Sequence, residues 1–397
     1  MRLDWLIVGG GIHGVHIAAR LVGEAGVDPE AVRMVDPADR LLARWLDCTA
    51  TTGMTHLRSP LAHHLDPSPW SLNLFAGGRR ARREPGLFAQ PYDRPSLALF
   101  NAHCDQVIES YGLAELHIRD RVIRLSVECD GVDVRLAGGR EIEAQNVVLA
   151  IGASEYPEWP EWAVRRDARV RHIFEPGADG GSTISGTVVV VGGGLSAGQV
   201  ALRLVQQGHR VHLVSRHALR EHQFDSDPGW LGPMNMMRFR RERDYERRRA
   251  MIKHARHRGS VTPGVRHALL VAIARHQLGW HEGMVEGLEL RNDGLGLRLS
   301  GGVNLEAKHV LIATGFCTRR PGGALVDELI ESASLPCARC GYPIPDTALR
   351  WHPRIYVSGP LAELELGPAA RNISGARRAG DRIVNEILYR SPLRTAS

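Results

Sequence analysis

The sequence predicts an α/β protein in which one strand–turn–helix pattern occurs twice. The first copy begins with the apolar run Trp5–Val8, turns through Gly9–Gly11 and continues in apolar residues at helical spacing. The second copy has the same order, from Val188–Val191 through Gly192–Gly194. A buried strand that turns at glycines into a helix is typical of dinucleotide-binding units. We therefore predict two Rossmann-like dinucleotide-binding domains.

The first glycine turn is followed by a strand whose end suits an unphosphorylated ribose. Glycines let the main chain approach a pyrophosphate, and the free N–H groups at the start of the helix stabilise the anion. The next strand, Val32–Val35, ends at Asp36, whose carboxylate can accept hydrogen bonds from both ribose hydroxyls. This pattern indicates FAD or NAD. The candidate contacts are Gly9, Gly11, Ile12, His13, Gly14 and Asp36.

The second glycine turn is followed by a strand with a different end. Val211–Val214 leads into Ser215 and Arg216, where a hydroxyl and a guanidinium could clamp a 2′-phosphate. This pattern favours NADPH, and an ordinary exposed arginine is the alternative for Arg216. The candidate contacts are Gly192, Gly194, Leu195, Ser196, Ala197, Ser215 and Arg216.

Each glycine turn is also followed by three alternating runs that predict strands, and the third run ends at a glycine. The earlier set is Val122–Val127, Val132–Leu136 and Asn146–Ile151, which ends at Gly152. The later set is Leu288–Leu290, Leu295–Leu299 and His309–Ile312, which is followed by Ala313, Thr314 and Gly315.

Composition excludes several classes of protein. The chain has 397 residues, 43% hydrophobic and 24% charged, which is typical of a globular protein. The first apolar run meets glycines at once, and no stretch reaches the roughly 18 apolar residues of a spanning helix, so we expect no signal peptide and no membrane partner. Six irregularly spaced cysteines do not form the framework of a small secreted domain, so we expect a cytoplasmic protein.

The net charge of +6 gives weak support for a nucleic acid partner, because all but two of the 50 basic residues are arginines. The basic segment 238–258 contains Glu242, Asp244 and Glu246 at helical spacing. We therefore predict a solvated helix with ion pairs there, and no nucleic acid partner. The neighbouring His56, His63 and His64 lack a carboxylate or cysteine pattern, so no metal is assigned.

The pair Cys337 and Cys340 leaves a second function open. Two cysteines at this spacing are typical of a redox dithiol, which would make the protein a flavin disulfide reductase. The pair follows Gly315, however, and a zinc site would need a second pair. An incidental pair is the favoured interpretation.

Three further segments resemble one family. They are spread over most of the chain, but few positions in them match. They are Met54–Pro60 with Asp66-Pro67 and Trp70–Phe75, then Ser260–Pro263, and then Leu366–Ser374. Together they resemble the siderophore-type L-ornithine and L-lysine N-hydroxylating monooxygenases, which are class B flavoproteins that use FAD and NADPH. The sequence departs from that family at Thr55, Arg58 and Leu366, where the family has glutamine, lysine and histidine.

The resemblance implies that the NADPH domain is inserted into the FAD domain. Residues 1–155 would form the first part of the FAD domain, 156–305 the insert, and 306–397 the return segment. It further implies FAD contacts at Trp45, Met54, Thr55, Leu57, Val122, Gly152, Gly315, Gly367 and Ser374, an NADPH contact at Thr314, and substrate contacts at Arg58 and His56. An equal alternative for Arg58 is a pair with a flavin phosphate or a structural carboxylate.

The implied activity is N-hydroxylation of a small amine or amino acid with O₂ through a C4a-hydroperoxyflavin. Because the cofactor does the chemistry, no catalytic side chain is expected, only a pocket that excludes water. The alternatives are an NADPH-dependent disulfide-type reductase without oxygenation and a catalytically silent nucleotide-binding sensor. A homo-oligomer stays open.

Overall fold

In the computed structural model, the described residues are 2–175 and 184–390. Strands in the first stretch are β1 (Arg2–Val8), β2 (Val32–Asp36), β3 (Phe88–Ala89), β4 (Arg94–Pro95), β5 (His117–Arg119), β6 (Val122–Val127), β7 (Val132–Leu136), β8 (Glu141–Leu149) and β9 (Val170–His172). Its helices are α1 (Ile12–Gly23), α2 (Ala43–Thr52), α3 (Ser71–Phe75) and α4 (Leu97–Ser110).

The second stretch contains the remaining elements. Its strands are β10 (Thr187–Val191), β11 (Arg210–Ser215), β12 (Arg220–Glu221), β13 (Ser260–Val261), β14 (Leu278–Glu282), β15 (Val285–Leu290), β16 (Leu295–Leu299), β17 (Asn304–Ala307), β18 (His309–Ile312), β19 (Arg350–His352) and β20 (Ile355–Val357). Its helices are α5 (Leu195–Gln206), α6 (Pro233–Arg241), α7 (Tyr245–Ala255), α8 (Pro263–Ala274), α9 (Gly323–Ser332), α10 (Glu363–Leu366) and α11 (Ile373–Arg390).

The first unit is built on the sheet β19-β20-β8-β1-β2-β5, with β7 and β6 continuing antiparallel from β8. Its central strands β20, β8, β1, β2 and β5 are parallel. Strand β1 is apolar throughout its buried part because both faces of the sheet are covered. Helix α1 packs against α11 on one face.

The second unit is built on the all-parallel sheet β14-β11-β10-β18-β9. Alternate residues of β10 face two cores. Val188 and Val190 pack with helices α5 and α8, whereas Val189 packs with the antiparallel sheet β15-β16-β17. The α/β prediction with two dinucleotide-binding units is therefore confirmed.

One expected boundary needs correction. Strand β18 pairs with β10 in the second sheet, so residues 306–312 do not belong to the return segment. The chain returns to the first sheet at β19 and β20, where Ile355 pairs with Val147 of β8. The sequence misleads here because β8 and β18 occupy equivalent places in the two sheets and end in similar residues.

The chain crosses between the units twice, and the two crossing segments are bonded side by side. Glu158 N donates to Gly315 O at 2.9 Å, and Cys317 N donates to Tyr156 O at 2.9 Å. From α2 of the first unit, Arg44 Nη2 donates to Ser154 O at 2.8 Å and to Phe174 O at 2.9 Å. The two crossings and Arg44 thus form one part of the boundary between the units.

The basic segment 238–258 forms two helices and not one. Helix α6 ends at Arg241 and α7 begins at Tyr245, with Asp244 capping two N–H groups of its first turn. One face of α7 is not solvated, because Arg249 pairs with the fully buried Glu363. Within the described residues, no helix is long and apolar enough to cross a membrane.

Candidate functional site

The first glycine turn lies at the carboxyl end of β1 and needs glycine at Gly9. Gly9 has a φ of +115°, and a Cβ there would lie 2.7 Å from the carbonyl oxygen of Ala150. A Cβ on Gly14 would overlap the carbonyl oxygen of Gly9, so α1 and β1 approach closely at that point. Around Gly11, by contrast, nothing lies within 4 Å of the Cβ position. The turn is therefore an open cradle.

The start of helix α1 presents unused N–H groups to this cradle. Its N-terminal residue Gly11 makes no side-chain cap, and the first turn contains no acidic residue. An anion bound there would be stabilised by the free N–H groups and by the helix dipole. Ile12, at the first helical position, packs half-buried against the core.

Asp36 is fixed at the edge of the same cradle. Gly10 N donates to its Oδ2 atom at 2.7 Å, and Ala38 N donates to its Oδ1 atom at 2.9 Å. Each carboxylate oxygen keeps a further lone pair for a ligand hydroxyl. A hydroxyl bound at the cradle could donate to this carboxylate.

His13 adds a feature that the sequence did not specify. Its Nδ1 atom lies 2.8 Å from Ser358 Oγ, at the end of β20, while its Nε2 atom is buried without a hydrogen-bond partner among the described residues. Burial lowers the pKa of His13 to about 4, partly offset by the nearby main chain of Arg371, so the ring is neutral at physiological pH. A buried ring nitrogen without a hydrogen-bond partner is uncommon in folded proteins.

The other expected FAD contacts lie in different environments. Trp45 Nε1 donates to Asn101 Oδ1 at 3.0 Å, and Leu57 is buried with its N–H donating to Pro95 O at 2.9 Å. Gly152 follows β8 at the carboxyl edge of the first sheet. The remaining ones are Met54, half-buried against the core; Thr55, whose carbonyl accepts from Leu97 N; Val122, buried in β6; and Ser374, buried in the first turn of α11.

Gly315 and Gly367, two further expected FAD contacts, both have a positive φ. Gly315, with a φ of +90°, follows β18 and belongs to a crossing segment beside the second sheet. Gly367, with a φ of +76°, follows α10, and a Cβ there would lie 3.1 Å from Met236 Sδ of α6. Both positions need glycine for their backbone conformation.

The second glycine turn repeats the stereochemistry of the first. A Cβ on Gly192 would overlap the carbonyl oxygen of Ala313, which follows β18 as Ala150 follows β8. Ala197 stands where the first turn has Gly14, and Leu195 and Ser196 begin helix α5 without a side-chain cap or an acidic residue. The two turns differ in access, because a Cβ on Gly194 would lie 3.6 Å from the Cα atom of Gly259.

The end of β11 differs from the expected phosphate clamp. Ser215 is buried, and its hydroxyl donates to His217 O at 2.9 Å while accepting from Trp280 Nε1 at 3.1 Å. Arg216 is exposed and makes no hydrogen bond or ion pair to the described residues. Arg216 therefore remains available to an anion, whereas the Ser215 hydroxyl holds the strand end in shape.

His217 was not predicted and lies against the turn itself. Its Nε2 atom would be 3.3 Å from a Cβ on Gly193 and 2.8 Å from a Cβ on Gly259, so both positions need glycine for the ring to lie there. The third expected contact, Thr314, is used within the protein: its hydroxyl donates to Glu158 O and lies 3.3 Å from His172 Nε2.

The two expected substrate contacts are engaged with protein atoms. Arg58 donates to the main-chain oxygens of residues 222–224 and to Ser260 Oγ. His56 has Nε2 3.1 Å from Gly86 O and Nδ1 3.3 Å from Thr55 Oγ1, and burial lowers its pKa. These contacts direct neither the ring of His56 nor the guanidinium of Arg58 toward the first glycine turn.

The cysteines and histidines form no obvious second centre. All six cysteines are free, with Cys337 exposed and Cys340 half-buried in a tight hairpin beside α7. Across residues 2–175 and 184–390, no three histidine, cysteine or acidic side chains converge in a way that could hold a metal ion.

Comparison with known proteins places this geometry in context. A family model described as FAD-NAD(P)-binding matches residues 6–154, and one described as pyridine nucleotide-disulphide oxidoreductase matches residues 88–261. No curated relative matches the sequence.

Solved structures match along the whole chain. The ornithine hydroxylase of Pseudomonas aeruginosa has 17% identity and a TM-score of 0.75, covering 98% of this chain and 99% of that one. The Kutzneria ornithine N-hydroxylase, solved with reduced FAD, NADP⁺ and L-ornithine, has 17% identity and a TM-score of 0.75, covering 99% and 100%. The L-lysine 6-monooxygenase of Pseudomonas syringae has 18% identity and a TM-score of 0.73, covering 98% and 99%.

The chain has the fold of the ornithine and lysine hydroxylases. At these identities the likeness is one of fold, and it confirms that the resemblance noted at Met54–Pro60 and Leu366–Ser374 extends over the whole chain. The Kutzneria structure contains both FAD and NADP⁺.

Several residues at the two turns escaped sequence analysis. Gly10 and Ser358 contact Asp36 and His13 in the first unit, and His217 and Gly259 cover the second turn. The run Tyr356–Val357, followed by Ser358-Gly359-Pro360, carries the signal of a strand that ends at a turn and could have found Ser358. His217 and Gly259 are distant in sequence, and no local pattern joins them.

Proposed function

We propose that the chain is an FAD-dependent, NADPH-using monooxygenase that N-hydroxylates a small primary amine with O₂. The proposal rests on one difference between the two glycine turns, which is the charge of the side chain at the end of the following strand. The first has a fixed carboxylate at Asp36, whereas the second has an unpaired, exposed guanidinium at Arg216. A carboxylate suits an unphosphorylated ribose, and a guanidinium suits a 2′-phosphate.

The residues of the first unit fit FAD. The cradle of Gly9, Gly11 and Gly14 gives room for a pyrophosphate, and the free N–H groups of α1 would bind it. Asp36 would accept the adenosine ribose hydroxyls. His13, at the second position of α1, is buried and neutral. When bound, FAD supplies the redox chemistry with NADPH and O₂.

The protein's own task is then positioning and exclusion of water. No side chain needs to act as nucleophile, so no catalytic residue is assigned. Two units hold two nucleotides, and the paired crossing segments fix how the units meet. A dry pocket between them would keep reduced oxygen from being released as H₂O₂.

The domain organisation belongs to this proposal. We assign FAD to the unit formed by the chain before the first crossing and after the second, and NADPH to the insert, with β18 counted in the insert. Free cysteines throughout suit a cytoplasmic location. We propose no nucleic acid or membrane partner and leave assembly to measurement.

The substrate class comes from the proteins of the same fold, which act on ornithine and lysine. A small primary amine that reacts as the neutral base fits both. The test is a panel of diamines, amino acids and simple amines added to purified, FAD-loaded protein. Amine-dependent NADPH oxidation with an equal yield of hydroxylamine would support the proposal. A colourless protein that cannot be loaded with FAD, or NADPH oxidation that yields H₂O₂ with every amine, would contradict it.

A second candidate is an NADPH-dependent disulfide reductase. It is favoured by the family model over residues 88–261 and by the exposed, free Cys337 beside the free Cys340. A Cys337→Ser, Cys340→Ser double variant separates the two candidates. The reductase loses NADPH-dependent disulfide turnover, whereas the monooxygenase keeps hydroxylamine formation.

A further inference from the structure

Arg58 belongs to the first unit by its main chain. The adjacent Leu57 is buried in the core of that unit, and Leu57 N donates to Pro95 O at 2.9 Å. The main chain at Arg58 is therefore fixed to the first unit. Burial lowers the pKa of Arg58, partly offset by the charge of Asp225, but a guanidinium keeps its charge in proteins.

The side chain of Arg58 ends in the second unit. Its Nε atom donates to Gln223 O at 2.7 Å, and its Nη2 atom donates to His222 O at 2.8 Å, Phe224 O at 2.7 Å and Ser260 Oγ at 3.0 Å. Gln223 Nε2 donates back to Arg58 O at 3.3 Å. Hydrogen bonds from a charged donor are stronger than neutral ones, so this contact is an effective tie.

The atoms that Arg58 binds belong to one piece of structure, which we call the ribbon: residues 220–226 together with residues 256–261. Strands β12 and β13 pair within it, and His257 N donates to Asp225 O at 2.8 Å. Asp225 also pairs with Arg256 at 2.8 Å, and the rings of His222 and His257 stack with centroids 3.7 Å apart. The two segments of the ribbon therefore move together.

The ribbon lies over the second glycine turn. Gly259 is the residue 3.6 Å from the Cβ position of Gly194, and His217 lies against both Gly193 and Gly259. Val261 packs 3.5 Å from the Cβ position of Gly198 in α5. The first glycine turn has no such cover at Gly11. The position of the ribbon thus sets how much room a diphosphate has at the start of α5.

We propose that Arg58 is a positioning residue for the second nucleotide site, which it controls from the first unit by holding the ribbon over the glycine turn. The proposal rests on the proposed use of that turn for NADPH. Arg58 then contacts neither the substrate nor the nucleotide. It makes the shape of the NADPH site depend on the contact between the two units.

The test compares Arg58→Met with Arg94→Met in the full-length, FAD-loaded protein. Arg94 is the matched control because it is also a partly buried arginine that donates to main-chain oxygens, in its case those of Leu57, Gln90 and Pro91 within the first unit. Arg58→Lys and Ser260→Ala complete the series, since lysine keeps the charge and Ser260→Ala removes one bond of Arg58 together with the bond from Ser260 Oγ to His257 O within the ribbon.

Two measurements decide the question: the Kd for NADP⁺ by calorimetry, and amide hydrogen exchange in residues 220–226 and 256–261. If the untied ribbon is in place for a tenth of the time, the apparent Kd for NADP⁺ in Arg58→Met rises about tenfold. Exchange in the ribbon rises even without nucleotide. Arg94→Met changes neither, Arg58→Lys restores part of both, and Ser260→Ala gives a smaller effect. The KM for the amine stays unchanged.

An unchanged Kd and unchanged exchange in a folded Arg58→Met would overturn the proposal. A raised KM for the amine with normal NADP⁺ binding would overturn it in favour of substrate binding by Arg58. If Arg58→Met does not fold, Arg58→Lys decides by the same two measurements. A wild-type chain that binds no NADP⁺ would contradict the proposed function, and hydrogen exchange would still show whether Arg58 holds the ribbon.

Discussion

Replacing Arg216 by alanine tests the assignment of the second glycine turn to NADPH. Arg216 is exposed at the carboxyl end of β11 and has no carboxylate partner among the described residues, so its guanidinium is free to bind a phosphate. The neighbouring Ser215 hydroxyl is already bonded to His217 and Trp280 and adds little to phosphate binding. Arg216 should therefore carry most of the discrimination between NADPH and NADH at this strand end.

The size of the effect follows from exposure. A charge-assisted hydrogen bond is worth about 1.5–3 kcal/mol, and solvent screening at an exposed site reduces this toward the lower end. We expect Arg216→Ala to lose about 1–2 kcal/mol of NADPH binding, which is roughly a five- to thirtyfold rise in KM. The KM for NADH should stay within about twofold, since NADH lacks the 2′-phosphate.

The assay is initial-rate oxidation of NADPH and NADH at one fixed ionic strength, because screening changes the size of the effect. Arg210→Ala is the control, since Arg210 is an exposed arginine at the opposite end of the same strand. The reasoning is refuted if Arg216→Ala weakens both nucleotides equally, or if Arg210→Ala has the same effect as Arg216→Ala.

Three further outcomes are expected. Gly14→Ala should abolish FAD retention, because the new Cβ overlaps the carbonyl oxygen of Gly9; a yellow, folded variant would show that the helix can move away. Glu363→Leu should lower the free energy of unfolding by about 2–3 kcal/mol, because Arg249 and Arg371 lose a buried partner; denaturant unfolding measures this, and no change would contradict it. Burial lowers the pKa of His64 and of His103 to about 4, so the unfolded chain binds protons at a higher pH than the folded chain does. The free energy of unfolding should therefore fall as the pH is lowered from about 6.5 to 4. His103→Gln should make this pH dependence less steep in denaturant unfolding, and an unchanged slope would count against it.

The parts of the fold that could be predicted from sequence are those with local signals. Glycines that follow an apolar strand mark both turns, and Asp36 marks the end of β2, because each signal lies within one strand–turn–helix unit. The alternating runs before β8 and β18 likewise predicted strands that are present.

The parts that could not be predicted depend on contacts between distant segments. Whether β18 joins the first or the second sheet is decided by pairing with β10, which leaves no trace in the sequence of β18 itself. The sequence predicted Arg58 to be a substrate contact because the surrounding motif resembles the family's substrate-binding segment. In the structure, its partners lie at residues 222–224 and 260. The solvated helix predicted at 238–258 failed for the same reason, since the buried Glu363 and Glu365 that face α7 lie far along the chain.

The paired crossing segments have a consequence for how the two units can move. A single strand of chain between two bodies acts as a swivel and allows rotation about many axes. Here two segments lie side by side and are joined by hydrogen bonds at Glu158–Gly315 and Tyr156–Cys317, which restricts rotation of one unit against the other. Arg44 adds hydrogen bonds to Ser154 O and Phe174 O beside them. Any motion that separates the units must also break the bonds of Arg58 to residues 222–224 and the ion pair of Arg249 with Glu363.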